Sequence, residues 1–216
     1  LIEQKRGKEA SDLAAAINYE GTRNVVDACE RTGVKLIYTS TDFVFDGAFA
    51  GYTELTPCEP VNVYGKTKLL GELEVRRLPH SIIIRFGLLY GFNGYREPNG
   101  FFGELMSGNA LQLNDVEPRQ PLYVDDVGYA IEKLLASEYA GILHIAGPEV
   151  TTEFKLGLAL EPLVRTSSVL SGVRTNTSRV PRPKNATLNA VHARKMGISP
   201  RSIEAGVHEI RRRYDN

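Results

Sequence analysis

The sequence predicts an α/β fold: a parallel sheet wound on both faces by helices. Short apolar, β-prone runs at 34–39, 81–86 and 142–147 alternate with helical stretches, the pattern of such sheets. The run Ser81-Ile82-Ile83-Ile84-Arg85-Phe86 is of the buried type. With 42% hydrophobic and 24% charged residues, the 216-residue chain has an ordinary globular composition, which excludes wholesale disorder. Its length suits one large domain or two small ones.

Each element has a local reason. The chain opens on Leu1 in a polar stretch, LIEQKRGKEAS, that leads straight into a helix. This is expected of a sequence that starts partway into a longer protein. Residues 11–31 read as a helix, with Leu13, Ala16, Ile17, Val25, Val26 and Cys29 near helical spacing and Gly33 at the stop. Val34 to Thr39 reads as a strand, followed by the polar end Ser40-Thr41-Asp42. Residues 47–62, with Pro57 and Pro60, read as a loop, and a helix is expected from Val63 to about Val75. After the strand at 81–86 come a loop at 91–100 and a short helix over Phe101–Ser107. A helix over Val124–Ser137 follows, with Asp125 and Asp126 in its first turn, and then a strand over Ile142–Gly147. The remainder is expected as helices and loops, with 180–186 irregular. In parallel sheets of this kind ligands bind at the carboxyl ends of strands, so chemistry is to be sought at Ser40-Thr41-Asp42.

Composition narrows the function. Lys plus Arg equals Asp plus Glu at 26 each, which argues against a general nucleic-acid-binding surface. No apolar run approaches the roughly 18 residues of a membrane span. Two cysteines, Cys29 and Cys58, suit a reducing, cytoplasmic compartment, and no zinc-type Cys/His spacing exists. No metal site is expected: Asp125 and Asp126 read as helix-start acids, without a third carboxylate spaced to help. His144, in an apolar strand, reads as a satisfied buried histidine, and Cys58 as a structural thiol. Arg211-Arg212-Arg213 reads as a solvated helix face.

The central feature is Tyr64-Gly65-Lys66-Thr67-Lys68. On a helix, i and i+4 share a face, so a phenol and an ammonium point into one cleft. A phenol with its pKa near 10 is a poor acid at neutral pH. A cation about 4 Å away at an effective dielectric of 20 interacts by roughly 4 kcal/mol, an upper bound on what can shift that pKa. Even a modest shift matters, because a general acid works best near ambient pH. The hydroxyl of Thr41 stands at the strand end as a third group. Taken alone, Y-x-x-x-K recurs by chance on many helices as a surface pair.

The context is more specific. Residues 38–47 (YTSTDFVFDG), then Tyr52-Thr53-Glu54, then residues 60–72 (PVNVYGKTKLLGE) resemble the extended short-chain dehydrogenase/reductases, and within them most the dTDP-4-dehydrorhamnose reductase group. Weaker resemblance runs through residues 18–25 (NYEGTRNV), 84–91 (IRFGLLYG), 182–186 (RPKNA) and 196–200 (MGISP), so it covers most of the chain. It implies a Rossmann-type dinucleotide-binding part over 1–91 and about 122–147. A smaller α/β substrate-binding region would span 92–121 and 148–216.

The resemblance also implies roles. Tyr64 would protonate a C4 ketone, Lys68 would orient the nicotinamide ribose and lower the Tyr64 pKa, and Thr41 would bond the carbonyl oxygen. Donors fixed where charge develops act mainly on the transition state. Asn18, Thr39 and Ser40, with Tyr64 and Lys68, would contact the cofactor, NADPH or NADH; Asn18 reads equally as a helix-bending or bridging side chain. Asp42 would touch the sugar or cap the strand end. Arg182 would meet the diphosphate of a nucleotide-sugar substrate, or stand as a solvated loop arginine. A homodimer is the implied assembly.

Two further readings share the motif: a dinucleotide-binding regulatory subunit of methionine adenosyltransferase, and an NAD-dependent sugar-nucleotide epimerase or dehydratase. The sequence departs from the family in one respect. It lacks the G-x-x-G-x-x-G turn that cradles a pyrophosphate, and Gly21 and Gly33 follow no strand. The enzyme expectation therefore requires a native protein longer than these residues.

Overall fold

A computed structural model of the chain describes residues 8–92, 100–107, 109–163, 170–174 and 180–214. Its first helical rod joins α1 (Lys8–Ala15), a π-turn (Ala16–Glu20) and α2 (Gly21–Thr32). It ends where expected: Gly33 takes φ 68° and its N–H bonds the Cys29 carbonyl oxygen at 2.8 Å. Strand β1 (Ile37–Thr41) leads to a 3₁₀ turn (Asp42–Val44), a long loop and α3 (Val63–Val75). Then come β2 (Ile82–Phe86), β3 (Leu89–Tyr90), α4 (Gly100–Met106), β4 (Leu111–Asn114), β5 (Leu122–Tyr123), α5 (Val124–Leu135) and β6 (Gly141–His144). The chain continues through α6 (Glu153–Leu160), β7 (Leu170–Val173), α7 (Val191–Lys195) and α8 (Ile203–Tyr214).

The central sheet is parallel, in the order β1-β2-β6, with Ile37 opposite Ile82 and Ile82 opposite Gly141. Alternation along the strands divides its side chains between two cores. Ile83, with Tyr38 and Ile142 beside it, packs on Val26 of α2 and on Val75 and Leu78. Ile82, Ile84 and Leu143 face the other way, onto Val127, Ala130 and Leu134 of α5 and Ala193 of α7. Burying each of these Val, Leu and Ile side chains contributes about 1.5–3 kcal/mol. Both faces are covered, as the alternation of helix and strand requires.

A separate cluster, with Tyr90, Phe102, Leu105, Tyr123, Leu156, Leu160 and Ile210, joins α4, α6 and α8. Beside it β4 and β7 form a two-stranded parallel pair, and β3 pairs with β5.

Three expectations change. The strand expected at 34–39 lies at Ile37–Thr41, because its pairing with β2 runs on through Ser40 and Thr41, whose hydroxyls find carboxylate partners. The strand expected at 142–147 is β6, ending at His144. The C-terminal part is not only helices and loops: β7 forms at 170–173, a short Gly-containing stretch with little periodicity of its own that gains order from β4. Most of the loop expected at 91–100 lies outside the described residues. None of the described helices is long and apolar enough to cross a membrane.

Candidate active site

The site is built at the carboxyl end of β1. Helix α3 starts at Val63 because Asn62 caps it: the Asn62 side-chain oxygen accepts the Gly65 N–H at 2.8 Å. The Asn62 amide also donates to the Pro181 carbonyl oxygen at 2.9 Å, which ties the helix start to the irregular segment carrying Arg182. Only glycine fits at 65, since a Cβ there would collide with the Phe43 carbonyl oxygen. The first turn of α3 thus lies directly on the 42–44 turn, with the Tyr64 ring edge-on to Phe43 at 6.2 Å between centroids.

Tyr64 is 47% exposed. One turn on, the half-buried Lys68 holds its Nζ over the Tyr38 ring, 4.0 Å from the centroid. Burial pushes the Lys68 ammonium down to about 8, against the pull of Glu72, one turn further along α3. Amine-labelling rates at Lys68, measured peptide by peptide against pH in the protein without cofactor, should therefore give a midpoint near pH 8. A midpoint at the ordinary lysine value would contradict this seat for the ammonium.

Thr41 is 6% exposed and caps the 3₁₀ turn. Its Oγ1 accepts the Phe43 N–H at 3.1 Å and donates to Asp42 Oδ1 at 3.1 Å. Asp42 is buried, and burial pushes its carboxyl up to about 7, with Arg119 and the Thr41 hydrogen bond pulling the other way.

The other candidates fall around this core. Ser40 is buried and donates to Glu72 Oε1 at 2.5 Å, while Thr39 is exposed on the opposite face of β1. Asn18 lies in the π-turn and donates from Nδ2 to Thr67 Oγ1 at 3.0 Å, so its amide links the helical rod to α3. Arg182 pairs through Nη1 with Glu153 Oε1 at 3.2 Å, at the start of α6. Asp126 accepts from the Arg201 N–H at 2.8 Å, and Arg213 pairs with Asp125 and Glu209.

Sequence reasoning did not single out the group beneath the site. Glu72 and Arg85 are both fully buried and form a forked pair, Nε to Oε1 at 2.9 Å and Nη2 to Oε2 at 2.6 Å. Arg85 Nη2 also reaches Cys58 Sγ at 3.2 Å, and its guanidinium lies over the Phe45 ring at 5.2 Å. His144 Nδ1 bonds the Tyr52 carbonyl oxygen at 3.0 Å, which leaves Nε2 as the acceptor facing Arg85 Nη1 at 3.5 Å. Burial pushes His144 down to about 4, so it is neutral at pH 7. The signal was present: an arginine directly after the run Ile82-Ile83-Ile84, in the same buried-type strand, must find a charge partner when buried. Glu72 stands two turns after Tyr64 on the same helix.

A family model described as the RmlD substrate binding domain matches residues 5–216. The chain belongs to this family. RmlD-type relatives include dTDP-4-dehydrorhamnose reductase of Mycobacterium tuberculosis, 32% identical over 68% of this chain and 52% of that protein. Methionine adenosyltransferase 2 subunit beta of Xenopus laevis is 29% identical over 92% of this chain and 63% of that protein. The RmlD-type chain thus spans less than two thirds of the length of these relatives. A crystal structure of dTDP-4-dehydrorhamnose reductase from Bacillus anthracis in complex with NADP superposes with a TM-score of 0.84 at 29% identity, covering 94% of this chain and 74% of that one. The RmlD relationship places the fold among the extended short-chain dehydrogenase/reductases.

Proposed function

We propose that the protein reduces the C4 ketone of a nucleotide-linked 4-keto-6-deoxy sugar, with NADPH or NADH as reductant. The observation that carries this reading is a half-exposed tyrosine on the first turn of α3, with a half-buried ammonium one turn along, where that helix start packs on the 42–44 turn that follows Thr41. The donor set suits the nicotinamide end of a dinucleotide: Lys68 offers a cation to ribose hydroxyls, and Tyr64 offers a phenol one turn before it on the same helix. When bound, the nicotinamide supplies the hydride that the carbonyl carbon accepts.

The chain's own groups do the rest. Tyr64 gives its hydroxyl proton to the ketone oxygen. Lys68 binds the ribose and favours the phenolate left behind. Thr41 bonds the same oxygen, so negative charge developing there meets fixed donors rather than water. Arg182 sits on the segment tied to the start of α3, and a diphosphate would have to draw it from Glu153.

A second reading has support from the relatives named methionine adenosyltransferase 2 subunit beta: a binding subunit of that synthetase. Purified full-length protein separates the two. The first reading expects oxidation of NADPH with dTDP-4-dehydrorhamnose. No oxidation, together with co-elution with a methionine adenosyltransferase catalytic subunit, decides for the second.

A further inference from the structure

A hydroxyl carries one proton, and with Asp42 ionised Thr41 directs its own at Asp42 Oδ1, 3.1 Å away. In that arrangement Thr41 has none to offer a carbonyl oxygen. We propose that Asp42 is a positioning residue that, in its protonated form, donates to Thr41 Oγ1 and so turns the Thr41 proton outward to the ketone oxygen of the substrate. This rests on the reductase reading and adds to it.

The geometry allows the exchange without moving a heavy atom. Oγ1 keeps accepting from the Phe43 N–H through one lone pair. Its other lone pair takes the Asp42 O–H, and its own O–H is released. With Asp42 ionised, the same contact runs the other way, as O–H···O⁻.

The surroundings hold the carboxyl in place. Asp42 is 3% exposed, and a Cβ on Gly87 would stand 2.9 Å from Oδ2. The cation that acts on it is Arg119, from the segment before β5. That guanidinium is shared: Nη2 bonds Glu117 at 2.7 Å, and Nη1 bonds the carbonyl oxygens of Pro118 at 2.9 Å and Lys184 at 3.3 Å. From α3, Tyr64 stands against Phe43, the next residue of the same turn, and Lys68 follows it. Burial outweighs Arg119 and holds the Asp42 carboxyl up at about 7, so its two forms exchange near neutral pH.

The test is the pH dependence of kcat/KM in the full-length protein for wild type, Asp42→Asn and Asp42→Leu. Wild type should lose about tenfold per pH unit above a midpoint near 7. In Asp42→Asn the amide donates to Thr41 at every pH, so the fall should start only near pH 8, where Lys68 loses its proton. Asp42→Asn should exceed Asp42→Leu at least about tenfold, because only the amide is a donor. An unchanged midpoint in Asp42→Asn, or equal rates in the two variants, overturns the proposal.

A second measurement needs no turnover. The carbon-13 titration of the Asp42 carboxyl should move to higher pH in Thr41→Val, which removes a donor to the ionised form. No movement overturns the coupling. Movement in a protein that reduces no ketosugar leaves the coupling standing and removes only the reductase reading.

Discussion

Tyr64→Phe is expected to lower turnover of a ketosugar by about 10²–10⁴-fold, the usual contribution of a positioned general acid. The loss should fall on kcat, with cofactor affinity nearly kept, because Lys68 and its seat on Tyr38 are untouched. Stability should change little: the ring is 47% exposed, and its edge contact with Phe43 needs no hydroxyl. Steady-state kinetics with a thermal melt of the same sample checks both parts. Wild-type kcat in the variant would remove Tyr64 from the chemistry. A synthetase-binding subunit would be indifferent to the change, so the same variant also weighs the two proposed functions.

Glu72→Ala carries the largest expected effect on stability, a loss of about 3–5 kcal/mol. It strips the carboxylate from a fully buried guanidinium whose other direct contacts are a thiol, a neutral imidazole and a phenyl face, with the Glu54 carboxylate acting on it only through space. Those groups are too weak to hold an unpaired cation out of water. Ser40 loses its acceptor in the same step, and Ser40 precedes Thr41. The double replacement Glu72→Leu with Arg85→Met should recover part of the loss, since no charge is then left buried. Urea unfolding of the single and double variants measures the difference. A single variant as stable as wild type would mean that the pair is open to solvent.

Much of the site was legible because its signals are local. Helix α3 spans the residues expected, since Asn62 is a good cap and the residues after it suit a helix. The spacing of Tyr64 and Lys68 follows once the helix is granted. Gly33 stops α2 for a similarly local reason. The buried character of 82–84 was plain from composition alone. By contrast, β7 has only four residues, one of them glycine, and its order comes from β4 far away in the chain. Residues 40 and 41 look too polar for a strand interior until Glu72 and Asp42 are known to receive their protons.

Local pattern determined the alternation of helix and strand, the wound parallel sheet, and the phenol and ammonium one turn apart on α3. These follow from periodicities of a few residues, which neighbouring side chains enforce. Tertiary structure alone decided that Glu72 meets Arg85, that Asn18 reaches Thr67, that Arg182 rests on Glu153, and that Asp42 is buried against Thr41. Whether a carboxyl keeps its charge, and which way a hydroxyl points its proton, depends on water excluded by elements distant in sequence. Spacing along the chain does not encode that exclusion; packing does.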